Sequence, residues 1–205
     1  MIDQPIKSFK DFWRAPLKGK RGTYVTVNEL QMTLFLTACA VYGKDEFDLK
    51  AGYEAMKALT PVKTSDFTGN MQALLERGEV VACNQWDGEM WAMEDRGVKV
   101  SQYIWEEKKP LLTQTRTISK YSEPMQKKLA FAFMNRTLDP KVFGKFGELF
   151  YLRPTCKNIE VTPKMAAKGI TNTADSIKGY WIPDYQKYLD HADEVEETVN
   201  QIFAS

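Results

Sequence analysis

The 205-residue sequence predicts an α/β layer protein, and three observations carry that prediction. Short β-rich runs alternate with helical runs through the first half of the chain. The helical runs open on Ser, Asn or Asp and stop at Gly or Pro. The composition is that of an ordinary globular chain, 43% hydrophobic and 27% charged, which excludes extended disorder.

Taken in order, Ser8 caps a single turn over residues 9–13. Arg14, Lys18, Lys20 and Arg21 form a solvated loop before a strand at residues 22–27. Asn28 is a good helix cap, and Leu30, Leu34, Ala38 and Val41 share one helical face up to Gly43. Asp48 opens a second helix with Ala51, Ala55, Ala58 and Leu59 on its apolar side, before Pro61. A short strand is expected at residues 62–64. Ser65 or Asp66 then caps a helix carrying Met71, Leu74 and Leu75 that ends at Gly78. A buried strand at 79–83, a helix at 87–96 closed by Gly97, and strands at 98–105 and 113–119 complete the alternation.

Beyond that point the pattern is helical. One helix has Pro124 in its first turn and runs to Asp139. A second starts at Asp139-Pro140 and continues through Phe150. A short one starts at Thr162-Pro163 and ends at Gly169, and an acidic helix covers residues 184–205. The expected organisation is an α/β part over residues 1–110, then a strand and a mostly helical C-terminal part over residues 111–205.

Several classes of function are excluded or unsupported. Lys+Arg number 28 against 27 Asp+Glu, so no basic stripe marks a nucleic-acid partner. His191 is the only His, and it sits between Asp190 and Asp193 as a helix-start residue, so no two-His metal site is expected. Cys39, Cys83 and Cys156 lack CxxC spacing. No GxSxG, Walker, GxGxxG or HExxH motif is present. The reading is a binding protein without cofactor rather than an enzyme. Met1–Pro5 does not read as a secretory leader, and the longest apolar stretch, residues 34–42, is about half of what spans a bilayer.

Polar residues gather where strands hand over to helices: Thr26 and Asn28, Ser65 and Asp66, Trp86 and Asp87. In a parallel α/β sheet these junctions share one edge, the edge that binds ligands, and helix N-termini there favour an anionic group. Each residue taken alone also fits an ordinary cap. Trp86 suits a wall that stacks on a ligand, or equally a residue packed under the next helix. In the run 113–117, Thr115 and Arg116 are the other candidates; Arg116 could clamp a carboxylate or phosphonate by its fork, or lie exposed on a surface strand.

The run Ser8-Phe9-Lys10-Asp11-Phe12-Trp13, then Tyr53 to Val62 (YEAMKALTPV), resembles family 1 extracellular solute-binding proteins of ABC importers. It is most similar to the spermidine/putrescine-binding branch. Thr64-Ser65-Asp66, Leu75 to Val80 (LERGEV), Trp86-Asp87-Gly88, Ile104-Trp105 and Leu152-Arg153-Pro154-Thr155 follow in the family's order. The resemblance implies a periplasmic-binding-protein-like (type II) lobe. It implies a small-molecule ligand, an ABC permease as partner and a periplasmic or extracellular location. It also implies that the chain is the later part of such a protein, after the hinge. Surface left by an absent first lobe would then favour self-association. Trp86 matches the family's stacking Trp, Ser65 a polar contact, and Thr115 the place of the acidic residue that pairs with an ammonium. Thr115 is uncharged and Arg116 stands beside it, so a carboxylate or phosphonate ligand is expected in preference to a polyamine.

Overall fold

A computed structural model describes residues 4–205. The chain divides into two compact units, one of residues 1–111 with 180–205 and one of residues 112–179. The sequence reading divides it once, after residue 110.

The first unit is built on three short parallel strands, β1 (Arg21–Tyr24), β2 (Lys63–Ser65) and β3 (Ala82–Cys83), in the order β2-β1-β3. Tyr24 is in register with Ser65, and Gly22 with Cys83. All three strands therefore end at one edge of the sheet. Its helices are α1 (Glu29–Tyr42), α2 (Leu49–Leu59), α3 (Thr68–Glu76) and α4 (Asp87–Asp95), with α8 (Tyr185–Leu189) and α9 (Ala192–Ala204) from the returning segment.

Local chemistry sets most of these ends. Ser8 and Asp11 form a capping box on a 3-10 turn over Phe9–Trp13. Asn28 accepts the Leu30 N–H at the start of α1, and Asp48 accepts that of Ala51 at the start of α2. His191 occupies the cap position of α9, so the expected single helix over 184–205 is two, broken at Asp190-His191.

The sequence shows one apolar face on α1, yet every residue from Leu30 to Cys39 is buried. This helix lies between the sheet and the α2/α9 layer, and a helix covered on all sides need not be amphipathic. The core joins Leu34, Phe35, Ala38 and Cys39 of α1 to Met56 and Leu59 of α2 and to Val195, Val199 and Ile202 of α9. Gly52 lets α2 approach α1 closely. A Cβ there would stand 2.8 Å from the Phe35 ring and collide with the Cys39 sulfur.

Two expected strands do not form. Residues 98–105 and 113–119 are irregular. Val100 N–H donates to the Val98 carbonyl, a tight turn that interrupts the first run, while Thr113 to Thr117 are exposed. Both runs have β-favouring residues, but a strand exists only where a neighbour completes its ladder. The strand expected at 79–83 is likewise reduced to Ala82–Cys83.

The second unit contains α5 (Pro124–Thr137), α6 (Pro140–Phe150), α7 (Pro163–Ala166) and a 3-10 turn over Ala174–Ile177. Asp139 caps α6 and Thr162 caps α7, as the sequence predicts; α5 starts on a Glu123/Gln126 capping box instead of on Ser122. Phe143, Ile159, Met165 and Ile170 are buried, whereas Met125, Leu129, Phe133, Phe146, Leu149 and Phe150 are exposed.

Gly52→Ala is expected to lower stability by about 1–3 kcal/mol through overpacking against Phe35, although alanine is the better helix former by about 1 kcal/mol. A thermal melt followed by circular dichroism checks this; an unchanged or raised Tm contradicts the close α1–α2 approach.

Candidate functional site

The site candidates of the first unit stand on the three loops that leave the carboxyl ends of the strands. Val25 N–H donates to the Ser65 carbonyl at 3.0 Å, extending the β1–β2 pairing by one residue before the loops diverge. The loops are then tied to one another. Asn28 Nδ2 donates to the Asp66 carbonyl at 3.4 Å, joining the β1–α1 loop to the β2–α3 loop. Gln85 Nε2 donates to the Thr68 carbonyl at 3.5 Å, joining the β3–α4 loop to the first turn of α3. Gln85 Oε1 also accepts the Trp86 N–H at 3.0 Å, which fixes the backbone from which the indole projects.

Trp86 is half-buried at the cap position of α4, with no side-chain cap bond. Asp87 follows it, half-buried, its Oδ1 accepting from Gly88 N–H at 2.8 Å. Asp66 is exposed and accepts from Asn70 Nδ2 at 2.8 Å. The helix expected to be capped by Ser65 or Asp66 starts after Phe67, which offers no side-chain cap. Ser65 instead closes its own turn: its hydroxyl donates to the Phe67 carbonyl at 2.9 Å and accepts the Phe67 N–H at 3.4 Å. Thr26 is buried, and its hydroxyl donates to Asn200 Oδ1 at 3.2 Å.

Thr115 and Arg116 belong to the second unit, where both are exposed. The Arg116 guanidinium donates to Thr137 Oγ1 at 2.8 Å, within that unit.

The structure adds residues that local sequence reading passed over. Val27 and Phe67 are 76% and 63% exposed, apolar side chains carried on the same two loops as Asn28 and Asp66. Glu29 and Glu89 lie in the first turns of α1 and α4. With Asp66 and Asp87 they make four carboxylates along this edge, and the segments 25–31, 65–71 and 84–91 contain no Lys or Arg. The carboxylates are spread out: among the described residues, no three His, Cys, Asp or Glu side chains gather as a metal cage. Burial holds the Glu29 carboxyl above its ordinary range, against a hydrogen bond from Tyr185 that lowers it. Burial also pushes the thiol of the half-buried Cys83, at the end of β3, up to about 12.

No protein-family model and no curated protein matches the chain. Solved structures do. A protein of an ABC transporter from Clostridium perfringens has a TM-score of 0.75 at 23% identity, over 97% of this chain and 63% of its own. A Bordetella parapertussis protein assigned as an extracellular solute-binding protein has a TM-score of 0.75 at 18% identity, over 98% and 62%. The spermidine/putrescine ABC transporter substrate-binding protein of Streptococcus pneumoniae, in complex with calcium and HEPES, has a TM-score of 0.66 at 18% identity, over 99% and 64%.

The fold is that of the solute-binding proteins of ABC transporters, the helix-rich α/β class expected from the sequence. The chain spans 62–64% of the length of these structures. Among the described residues, no helix is long and apolar enough to cross a membrane.

Proposed function

We propose that this chain is a solute-binding component of an ABC importer and that the carboxyl edge of its small sheet forms one face of the ligand site. One observation carries the reading: three cross-tied loops bring Val27, Phe67 and Trp86 together with a row of carboxylates to that edge. The fold is one that solute-binding proteins share. In this reading Trp86 stacks on the ligand, Asp66 and Asp87 supply acceptors, and Ser65, Thr26 and Asn28 hold the loops that present them. The protein works by capture and release, without chemistry on the solute, and its place is the extracytoplasmic face of a membrane that carries the permease.

The ligand group that meets this edge is a cation in our reading. Glu29, Asp66, Asp87 and Glu89 repel an anion, and no Lys or Arg on the three loop segments offsets them. The carboxylate or phosphonate ligand expected from Thr115 and Arg116 is the opposing arm of the test. Arg116 already donates to Thr137 within its own unit.

The test is calorimetric titration of the chain with putrescine as a diamine and glutarate as a dicarboxylate. Putrescine is expected to bind. Trp86→Ala is expected to weaken binding at least about tenfold, from loss of an aromatic contact worth ~0.5–2 kcal/mol together with its apolar burial. Binding of glutarate alone supports the anionic arm, and unchanged affinity in the Trp86 variant removes that residue from the site.

A second reading, an interaction module, is favoured by the surface of the second unit. Leu129 and Phe133 on α5, and Phe146, Leu149 and Phe150 on α6, are 40–65% exposed. Large apolar side chains exposed in this number on two helices are the kind of surface that marks an interaction site. Residues 112–179 also carry twelve Lys and Arg against five Asp and Glu. Two such faces attract through their apolar groups and repel through their charge. Self-association is therefore expected to strengthen as salt rises and screens the repulsion, with sedimentation velocity at low and high salt as the measurement. A monomer at all salt concentrations contradicts this reading.

A further inference from the structure

We propose that the C-terminal segment, residues 180–205, latches the β1–α1 loop at the ligand edge, with Asn200 and Tyr185 as positioning residues for the site. The inference rests on the reading of that edge as the solute-binding face.

The loop leaves the sheet after Tyr24 and is held at two points by residues far away in the chain. Thr26, 7% exposed, donates its hydroxyl to Asn200 Oδ1 at 3.2 Å, across 174 residues of sequence. Three residues further on, the Glu29 carboxylate accepts the Tyr185 hydroxyl at 3.2 Å, across 156 residues. Asn28 lies between these two ties, and it both caps α1 and reaches the Asp66 carbonyl. A shift at Thr26 or Glu29 is thereby passed to Asn28 and through it to the neighbouring loop. Burial pushes the Tyr185 phenol up to about 12, so near neutral pH it keeps its proton and remains the donor of this pair.

The segment itself does not depend on these two bonds. Val195, Val199 and Ile202 anchor α9 in the core. Tyr53 donates to Glu194 Oε1 at 3.0 Å. At the start of the segment, Trp181 N–H donates to the Lys109 carbonyl at 2.7 Å and Leu111 N–H to the Trp181 carbonyl at 2.8 Å. With the segment secured by other means, the Thr26 and Glu29 bonds act on the loop. Solute affinity is then set in part by side chains that never touch the solute, and by the far end of the chain.

The test uses Tyr185→Phe and Asn200→Ala, singly and combined, in the full chain. Phe keeps the ring packing, and Ala is favourable inside α9. Amide hydrogen exchange is read on a peptide spanning residues 25–31, whose Asn28, Leu30 and Gln31 amides are hydrogen-bonded in this loop. Each lost bond is expected to speed local exchange by about tenfold, while a peptide over 34–39 in the core stays protected and Tm is nearly unchanged. In the double variant putrescine affinity is expected to fall by at least about threefold, as a less ordered loop must be fixed on binding.

Unchanged exchange at 25–31 in the double variant overturns the latch. Exchange that rises equally in the core peptide also overturns it, because the bonds then serve global stability. Should the double variant not fold, Thr26→Val removes the first bond from the other end and gives the same reading. If wild-type protein binds neither putrescine nor glutarate while exchange at 25–31 rises in the variants, the ligand-face reading fails and the latch stands.

Discussion

The four residues of β1 are buried, the strand is paired with a neighbour on each side, and the elements of the first unit's candidate site take their position from it. At the start of this strand Arg21, expected in a solvated loop, is instead 1% exposed, its guanidinium donating to the Leu59 carbonyl at 3.1 Å and the Arg14 carbonyl at 2.6 Å. Burial lowers its pKa, which is the mark of a charge removed from water. Such a group is tolerated only while its acceptors stay in place. It therefore holds the end of α2 and the loop after the first 3-10 turn against the head of β1. On the helix-covered face near the other end, Thr23 donates to Gln31, and Asn84 Nδ2 donates to the Leu30 carbonyl at 2.9 Å, so the first turns of α1 are fixed over the sheet. A strand clamped at both ends leaves the three loops beyond it little choice of position.

What the loops then present is a mixed surface: apolar side chains at Val27, Phe67 and Trp86 beside carboxylates at Glu29, Asp66, Asp87 and Glu89. Glu29, Asp87 and Glu89 also sit in first helical turns, where the positive end of the dipole favours them. The two roles are compatible. A carboxylate favoured by its helix N-terminus keeps its charge and still offers acceptor lone pairs to a ligand cation. The second unit has a different character, basic and with apolar side chains exposed on α5 and α6, and the acidic balance of the first unit mirrors it. Residues 1–111 with 180–205 hold sixteen Lys and Arg against twenty-two Asp and Glu. A net charge near zero for the whole chain conceals this partition.

Features decided within a few residues were legible in the sequence. The caps at Asn28, Asp48, Asp139 and Thr162 accept the backbone N–H groups expected of them, because a cap needs only its own first turn. Features decided across the chain were not. Residues 98–105 and 113–119 have strand-like composition and no ladder, since pairing depends on neighbours that local pattern does not reveal. The all-round burial of α1 was hidden for the same reason: the core it shares with α2 also takes in α9, from the far end of the chain. At the site, Trp86 was visible from its place at a strand-to-helix junction. Gln85, between the strand expected at 79–83 and Trp86, was not singled out, although it positions Trp86, and the contacts of Thr26 with Asn200 and Glu29 with Tyr185 have no local signal at all. Ser65 was seen as a polar group, but its hydroxyl turns back on its own loop.

The most direct test of the central claim is a backbone amide correlation spectrum of the isotope-labelled chain, recorded during titration with putrescine. The account predicts saturable shifts clustered on residues 25–28, 65–68 and 84–88, together with the Trp86 indole N–H. Shifts confined to the basic helices α5 and α6, or binding that leaves these three loops unperturbed, would contradict it.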